Sequence, residues 1–228
     1  MANHLKRLAS PKTWEVKRKG LKFITKPVPG PHNHQNSLSL NTLLKEILSY
    51  ATTTRDVKKV LNTNEIRIDG KTRKDFRFPV GIFDTVEFPT IDEQFRMVIN
   101  KNGKLHLVRI SKEEAKIKPC KIVGKTSMKD KVQLNLYDGK NILAEKGPYK
   151  VGDSILISLP DNKIVKHLKF EKNSTIYLTG GRHIGDLGNV DDIIKDKVLY
   201  RDEKGNLIET SKEYAFVVGE DKLTINIK

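Results

Sequence analysis

Hydrophobic positions follow three regimes along the chain. In residues 1–36, Leu5, Leu8, Trp14, Val16, Leu21, Phe23 and Ile24 keep neither a helical nor a strand period, and Pro11, Pro27, Pro29 and Pro31 interrupt them. Such a segment cannot bury a core by itself. Next, Leu40, Leu43, Leu44, Ile47 and Leu48 recur at helical spacing and predict an amphipathic helix from Asn41 to Ala51, capped by Ser39 or Asn41. A second helix opens at Thr53 or Thr54, where a hydroxyl can cap and Asp56 suits the dipole, with Val57, Val60 and Leu61 as its apolar stripe. Ile66-Arg67-Ile68 then alternates as a strand, Asp69-Gly70 supplies a hairpin turn, and Val86-Glu87-Phe88 reads as another strand.

From Phe95 onward the pattern is short alternating runs: Arg96 to Ile99, Leu105 to Ile110, Val132 to Tyr137 and Ile155 to Leu159, with turns at Asn102-Gly103 and Asp138-Gly139. This predicts a small antiparallel barrel or sandwich. Lys112 to Lys116 is helical for about one turn. Near the end, Ile176-Tyr177-Leu178 enters a loop dense in glycine, where Gly181, Gly185 and Gly188 permit positive φ or close backbone approach.

Charge adds a partner class. The 228 residues hold 43 Lys+Arg against 28 Asp+Glu, a net +15, with 37% hydrophobic content. Cut where composition shifts, residues 1–36 carry +7, 37–100 +1, 101–172 +9 and 173–228 −2. Such an excess attracts polyanions, nucleic acid first. The longest apolar run, Tyr214 to Val218, is far short of the about 18–20 residues of a spanning helix. Residues 1–20 hold basic groups throughout and no apolar leader core, so a cytoplasmic location is expected. Cys120, the single cysteine, permits neither an internal disulfide nor a thiolate zinc site.

The cations form two groups. Lys6, Arg7, Lys12, Lys17, Arg18 and Lys19 surround Trp14 in the first segment. This is either a disordered solubilising tail or an arm that orders on RNA; the second is preferred, because a lone tryptophan in a flexible tail exposes apolar surface for no return. Removing such an arm would leave the fold intact. Arg55, Lys58 and Lys59 project from the polar side of the second helix, and Arg67, Lys71, Arg73, Lys74 and Arg77 crowd the following strand and turn, interleaved with Phe76 and Phe78. That suits the backbone of double-stranded RNA, and equally a solvated charged face.

The strings Thr54-Arg55-Asp56-Val57-Lys58-Lys59-Val60-Leu61, Ile66 through Arg73 and Pro79-Val80-Gly81-Ile82-Phe83-Asp84 resemble the RNA-binding domain of the small-subunit "four-e" ribosomal protein family of archaea and eukaryotes. The likeness extends to His4 through Trp14, Gly30-Pro31-His32, Ile110 through Lys116 and Lys118-Pro119-Cys120-Lys121. The resemblance implies an α+β multidomain protein. Its expected parts are a basic extension (1–36), a helix-plus-strand RNA-binding domain similar to that of bacterial small-subunit protein four (37–100), a central β domain (101–172) and an SH3-like β-barrel (173–228). The glycine-dense loop looks like a KOW motif, although a plain barrel turn fits it too. The resemblance also adds His32, and the loop adds Arg182 and His183, to the candidate RNA contacts. The end at Lys228 points to an archaeal member. Small-subunit rRNA and neighbouring ribosomal proteins are the implied partners, at the ribosome, with no membrane and no small-molecule substrate.

No active site is legible. Gly124-Lys125-Thr126 imitates a phosphate-binding loop, but the glycine required five positions earlier is Pro119. His32 and His34 have no further ligand nearby for a metal, and the acidic residues Asp191, Asp192, Asp202 and Glu203 lack the paired arrangement of acid–base catalysis. No cofactor is implied. The rival classes are a KOW-containing transcription elongation or RNA-quality factor and an accessory domain of an RNA-modifying enzyme.

Overall fold

The computed structural model describes residues 4–220 and 223–227. Lys228, on which the archaeal expectation rests, lies outside them. The chain divides into two compact units, Met1–Ile99 with Gly103–Ala115, and Asn100–Asn102 with Lys116–Lys228.

The first unit opens with a two-stranded ladder of β1 (Leu5–Lys6) and β2 (Phe23–Ile24). β3 (Ser37–Ser39) leads into α1 (Leu40–Thr42), which continues as a π-helical run, Leu43–Ile47. After these come α2 (Thr54–Thr63), β4 (Arg67–Ile68), β5 (Lys71–Thr72), β6 (Pro79–Gly81), β7 (Thr85–Phe88), β8 (Glu93–Ile99), β9 (Leu105–Arg109) and α3 (Lys112–Ala115). β6 pairs with β3, and the others form one antiparallel sheet in the order β5-β4-β7-β8-β9. β9 lies past the expected boundary at residue 100, yet it pairs with β8 through a turn in which Gly103 has φ +69°.

The first helix is shorter than its periodicity predicts. Ser39 caps it, its Oγ accepting from Thr42 N–H at 3.2 Å, and Leu40, Leu43 and Leu44 are buried. The run ends early because Ser49 turns into the left-handed region, φ +57°, so Tyr50 and Ala51 lie beyond it. α2 matches its signals more closely. Thr53 Oγ1 accepts from Asp56 N–H at 3.2 Å while the Asp56 carboxylate accepts from Thr53 N–H at 2.9 Å, a reciprocal cap that satisfies two otherwise orphaned donors of the first turn. Asp69 and Gly70 both have positive φ, +51° and +71°, as a type I′ turn requires, and they join β4 to β5 with Ile68 opposite Lys71.

Among the described residues, the regular elements of the second unit are all β. β10 (Ile117–Ser127), β11 (Lys131–Leu136), β12 (Asn141–Glu145), β13 (Ser154–Ser158) and β14 (Ile164–Leu168) form a sheet in the order β12-β11-β10-β13-β14. β10 pairs with β13 along its first half and with β11 along its second, and a bulge between Ile122 and Gly124 bends it, curling the sheet around Cys120, Ile122, Leu134, Ile155 and Ile157. β15 (Thr175–Leu178), β16 (Leu187–Ile194), β17 (Lys197–Asp202), β18 (Leu207–Ser211) and β19 (Ala215–Gly219) form a second five-stranded sheet, order β18-β17-β16-β15-β19. Leu156 and Leu168 join Ile176, Val190, Tyr200 and Val217 in its core, so the last segment shares apolar contacts with the strands before it.

Candidate nucleic-acid interface

α2 turns Val57 and Leu61 into the core and thereby sets Arg55, Lys58 and Lys59 outward, where all three are exposed. The carboxylate within the same stretch, Asp56, is engaged by its cap, and the hydrogen bonds from Thr53 hold it below the usual carboxylate range. Lys58 Nζ stands 4.7 Å from the centre of the Phe76 ring and the Arg77 guanidinium 5.7 Å from it, which ties the loop after β5 to the helix. Arg73 lies 4.4 Å over Phe78. Lys71 and Lys74 are exposed on β5 and in that loop. Arg67 pairs with Glu65 at 2.7 Å and Arg77 approaches Asp75 at 3.9 Å, both pairs being largely solvent-facing.

The first segment corrects its expectation. Trp14 is only 1% exposed and packs against the His34 ring at 5.3 Å, so it is a core residue and cannot stack on a base. Its hold on the sheet is direct, since Leu105 N–H of β9 donates to the Thr13 carbonyl at 2.8 Å. Arg7, expected as an RNA contact, is buried; it donates to the Glu46 carboxylate at 2.7 and 3.3 Å and to the Lys17 carbonyl at 2.8 Å. The Arg7 hydrogen bond keeps Glu46 ionised below its usual range, despite partial burial. Arg18 donates to the carbonyls of Leu8, Ser10 and Pro11 and so folds the segment upon itself. Lys6, Lys12, Lys17 and Lys19 remain exposed.

His32 is a further correction. Its Nε2 meets Asp84 Oδ1 at 2.8 Å, with both side chains almost wholly buried, while Asp84 Oδ2 accepts from Gly81 N–H at 2.8 Å. A Cβ on Gly81 would fall 2.2 Å from the imidazole, so glycine is needed there to seat the ring. The Gly30-Pro31-His32 and Pro79–Asp84 strings, far apart in sequence, thus serve one structural joint.

In the second unit, several central lysines also face inward. Lys118 is fully buried with Asp138 at 3.2 Å; burial alone would raise that carboxyl, but Lys118 and Lys140 outweigh it and lower the pKa. Lys121 donates to the carbonyls of Lys212, Glu213 and Ala215, and burial pushes its ammonium down to about 8, against the pull of Glu213. Lys118 and Lys121 are therefore spent on internal partners, which the positive excess of residues 101–172 does not reveal. Arg182 is exposed on the loop after β15, and His183 Nδ1 lies 3.5 Å from Asp186. Gly181 and Gly185 both take φ +82°, and a Cβ on Gly188 would fall 2.3 Å from the Arg201 carbonyl, so the loop's glycines are required by its backbone. No helix among the described residues is long and apolar enough to cross a membrane.

This is a cation-bearing α+β chain, mostly β by content. Comparison with known proteins makes that specific. The family model "Ribosomal family S4e" matches residues 91–164, and "RS4NT (NUC023) domain" matches residues 1–35. The small ribosomal subunit protein eS4 of Methanocella arvoryzae is 39% identical over 226 residues, 96% of this chain and 95% of that protein. Its counterpart from Methanococcus maripaludis is 38% identical over 239 residues, 98% of this chain and 97% of that protein. A crystal structure of the 30S ribosomal protein S4e from Thermoplasma acidophilum superposes with a TM-score of 0.71 at 28% identity, covering 82% of this chain and 97% of that one. The chain belongs to the ribosomal S4e family, a family of ribosomal structural proteins and not of enzymes.

Proposed function

We propose that the chain is a structural constituent of the small ribosomal subunit that binds and organises rRNA in the cytoplasm, beside neighbouring small-subunit proteins. The observation that carries this is the outward face of α2: Arg55, Lys58 and Lys59 on a rigid capped helix, whose acidic neighbour is committed to the cap. In this reading the first unit acts as an RNA-binding domain like that of bacterial small-subunit protein four. The last sheet, with its Arg182-His183 loop, acts as a KOW-bearing SH3-like barrel. Exposed Lys6, Lys12, Lys17, Lys19, Lys71 and Lys74 extend the cationic surface. Binding works by releasing counterions from RNA phosphates while a folded scaffold fixes the cations in register; no bond is made or broken.

Sucrose-gradient sedimentation of lysate from cells growing exponentially tests the reading. The protein is expected to travel with small-subunit particles in stoichiometric amount. Migration wholly apart from ribosomal particles, as for a transcription elongation factor, contradicts it.

A further inference from the structure

A groove of about 470 Å³ opens in the first unit between β2, the start of α1 and the loop after β5. Its volume falls within the range of about 300–1,000 Å³ typical of small-molecule sites. Two phenyl rings line it, Phe23, which is 49% exposed and meets the His4 ring edge-on at 5.6 Å, and the half-buried Phe76. Four cations, Arg7, Lys26, Lys45 and Arg77, share the lining. The groove's own carboxylate, Glu46, is already held by Arg7. Deeper in, Asn41 is almost wholly buried; its Nδ2 donates to Thr25 Oγ1 at 2.6 Å and to Thr54 Oγ1 at 3.4 Å, while its Oδ1 has no hydrogen-bond partner.

Aromatic faces bordered by cations are how proteins take single-stranded bases: the ring stacks, the cations meet the flanking phosphates, and a buried amide reads the base edge. A duplex cannot enter so small a groove, whereas one extruded nucleotide can. An unpartnered amide oxygen asks for an N–H donor, which an exocyclic amino group supplies and a phosphate does not. We propose that this groove receives one unpaired, amino-bearing nucleotide of the RNA whose phosphates the α2 face binds, so that the first unit reads a bulge as well as a backbone. The inference rests on the rRNA-binding reading above.

The test measures equilibrium binding of the full chain, by fluorescence anisotropy at fixed salt, to three RNAs: a plain duplex, the same duplex with one bulged adenosine, and the same duplex with an abasic bulge. The adenosine bulge is expected to bind about 5- to 100-fold more tightly than the plain duplex, the range that stacking of one base supplies, and the abasic bulge close to the plain duplex. Phe23→Ala should abolish the preference without changing affinity for the plain duplex. Equal binding of bulged and plain RNA overturns the inference while leaving phosphate binding by α2 intact. Full preference retained by the abasic bulge also overturns it, since shape rather than a base would then be read. Failure to bind any of the three overturns the RNA-binding reading and this inference together.

Discussion

The amino-terminal segment and α2 are both rich in lysine and arginine, and they use them in opposite ways. The segment turns Arg7 and Arg18 onto carbonyls and a carboxylate and closes over Trp14, whereas α2 sends Arg55, Lys58 and Lys59 to solvent. The difference lies in local geometry. A helix of fixed period assigns each residue a face, so an apolar stripe on one side commits cations to the other. An irregular segment has no such phase, and its backbone carbonyls, left without ladder partners, recruit guanidinium groups instead. Counting cations in a segment therefore measures attraction to polyanions only where the backbone holds them outward.

That contrast can be broken by substitution. Trp14→Ala should cost the most, about 3–5 kcal/mol, because it empties a core site; chemical denaturation would show it, and an unchanged midpoint would return the segment to the status of a loose arm. Arg7→Met should cost about 1–3 kcal/mol by stranding Glu46 and the Lys17 carbonyl. Since Arg7 lowers the pKa of Glu46, this stabilisation is complete above the ordinary value of 4.5 and is lost as pH falls through the lower folded-state value. The gap in Tm between wild type and variant should accordingly narrow on acidification below 4.5.

Lys121 gives a smaller effect of the opposite charge type. With its ammonium pushed from 10.5 down to about 8, the folded state binds fewer protons than the unfolded state between those values. Wild type should therefore gain a few degrees in Tm relative to Lys121→Met as pH rises from 8 to 10.5, and a flat difference would mean the ammonium is not desolvated. Smallest per residue for stability, the combined change Arg55→Ala, Lys58→Ala and Lys59→Ala should cost no more than about 0.5 kcal/mol at each position, the largest share falling at Lys58, which gives up its contact with the Phe76 ring.

The same division explains what the residues made legible. The start and cap of α2, the Asp69-Gly70 hairpin and the strands β4, β7, β8, β9, β11, β13 and β15 follow from period and turn chemistry, which are local. The end of the first helix is not legible, because its apolar spacing carries no mark of the left-handed turn at Ser49. The roles of Trp14, Arg7 and His32 escaped because their partners, His34, Glu46 and Asp84, are set by tertiary packing and not by spacing. Asp138 reads in sequence as a turn residue beside Gly139, and only the fold shows it as the buried counter-ion of Lys118. The groove at Phe23, Asn41 and Phe76 is likewise assembled from three separate stretches, and the spacing of Phe76 and Phe78 among cations was its single sequence signal.

The most direct measurement is the salt dependence of binding to small-subunit rRNA, comparing the full chain with the triple alanine variant of α2. The log–log slope of affinity against salt should flatten by about 3, roughly one for each lost phosphate contact. An unchanged slope in a folded variant would contradict the assignment of α2 as the RNA-facing surface.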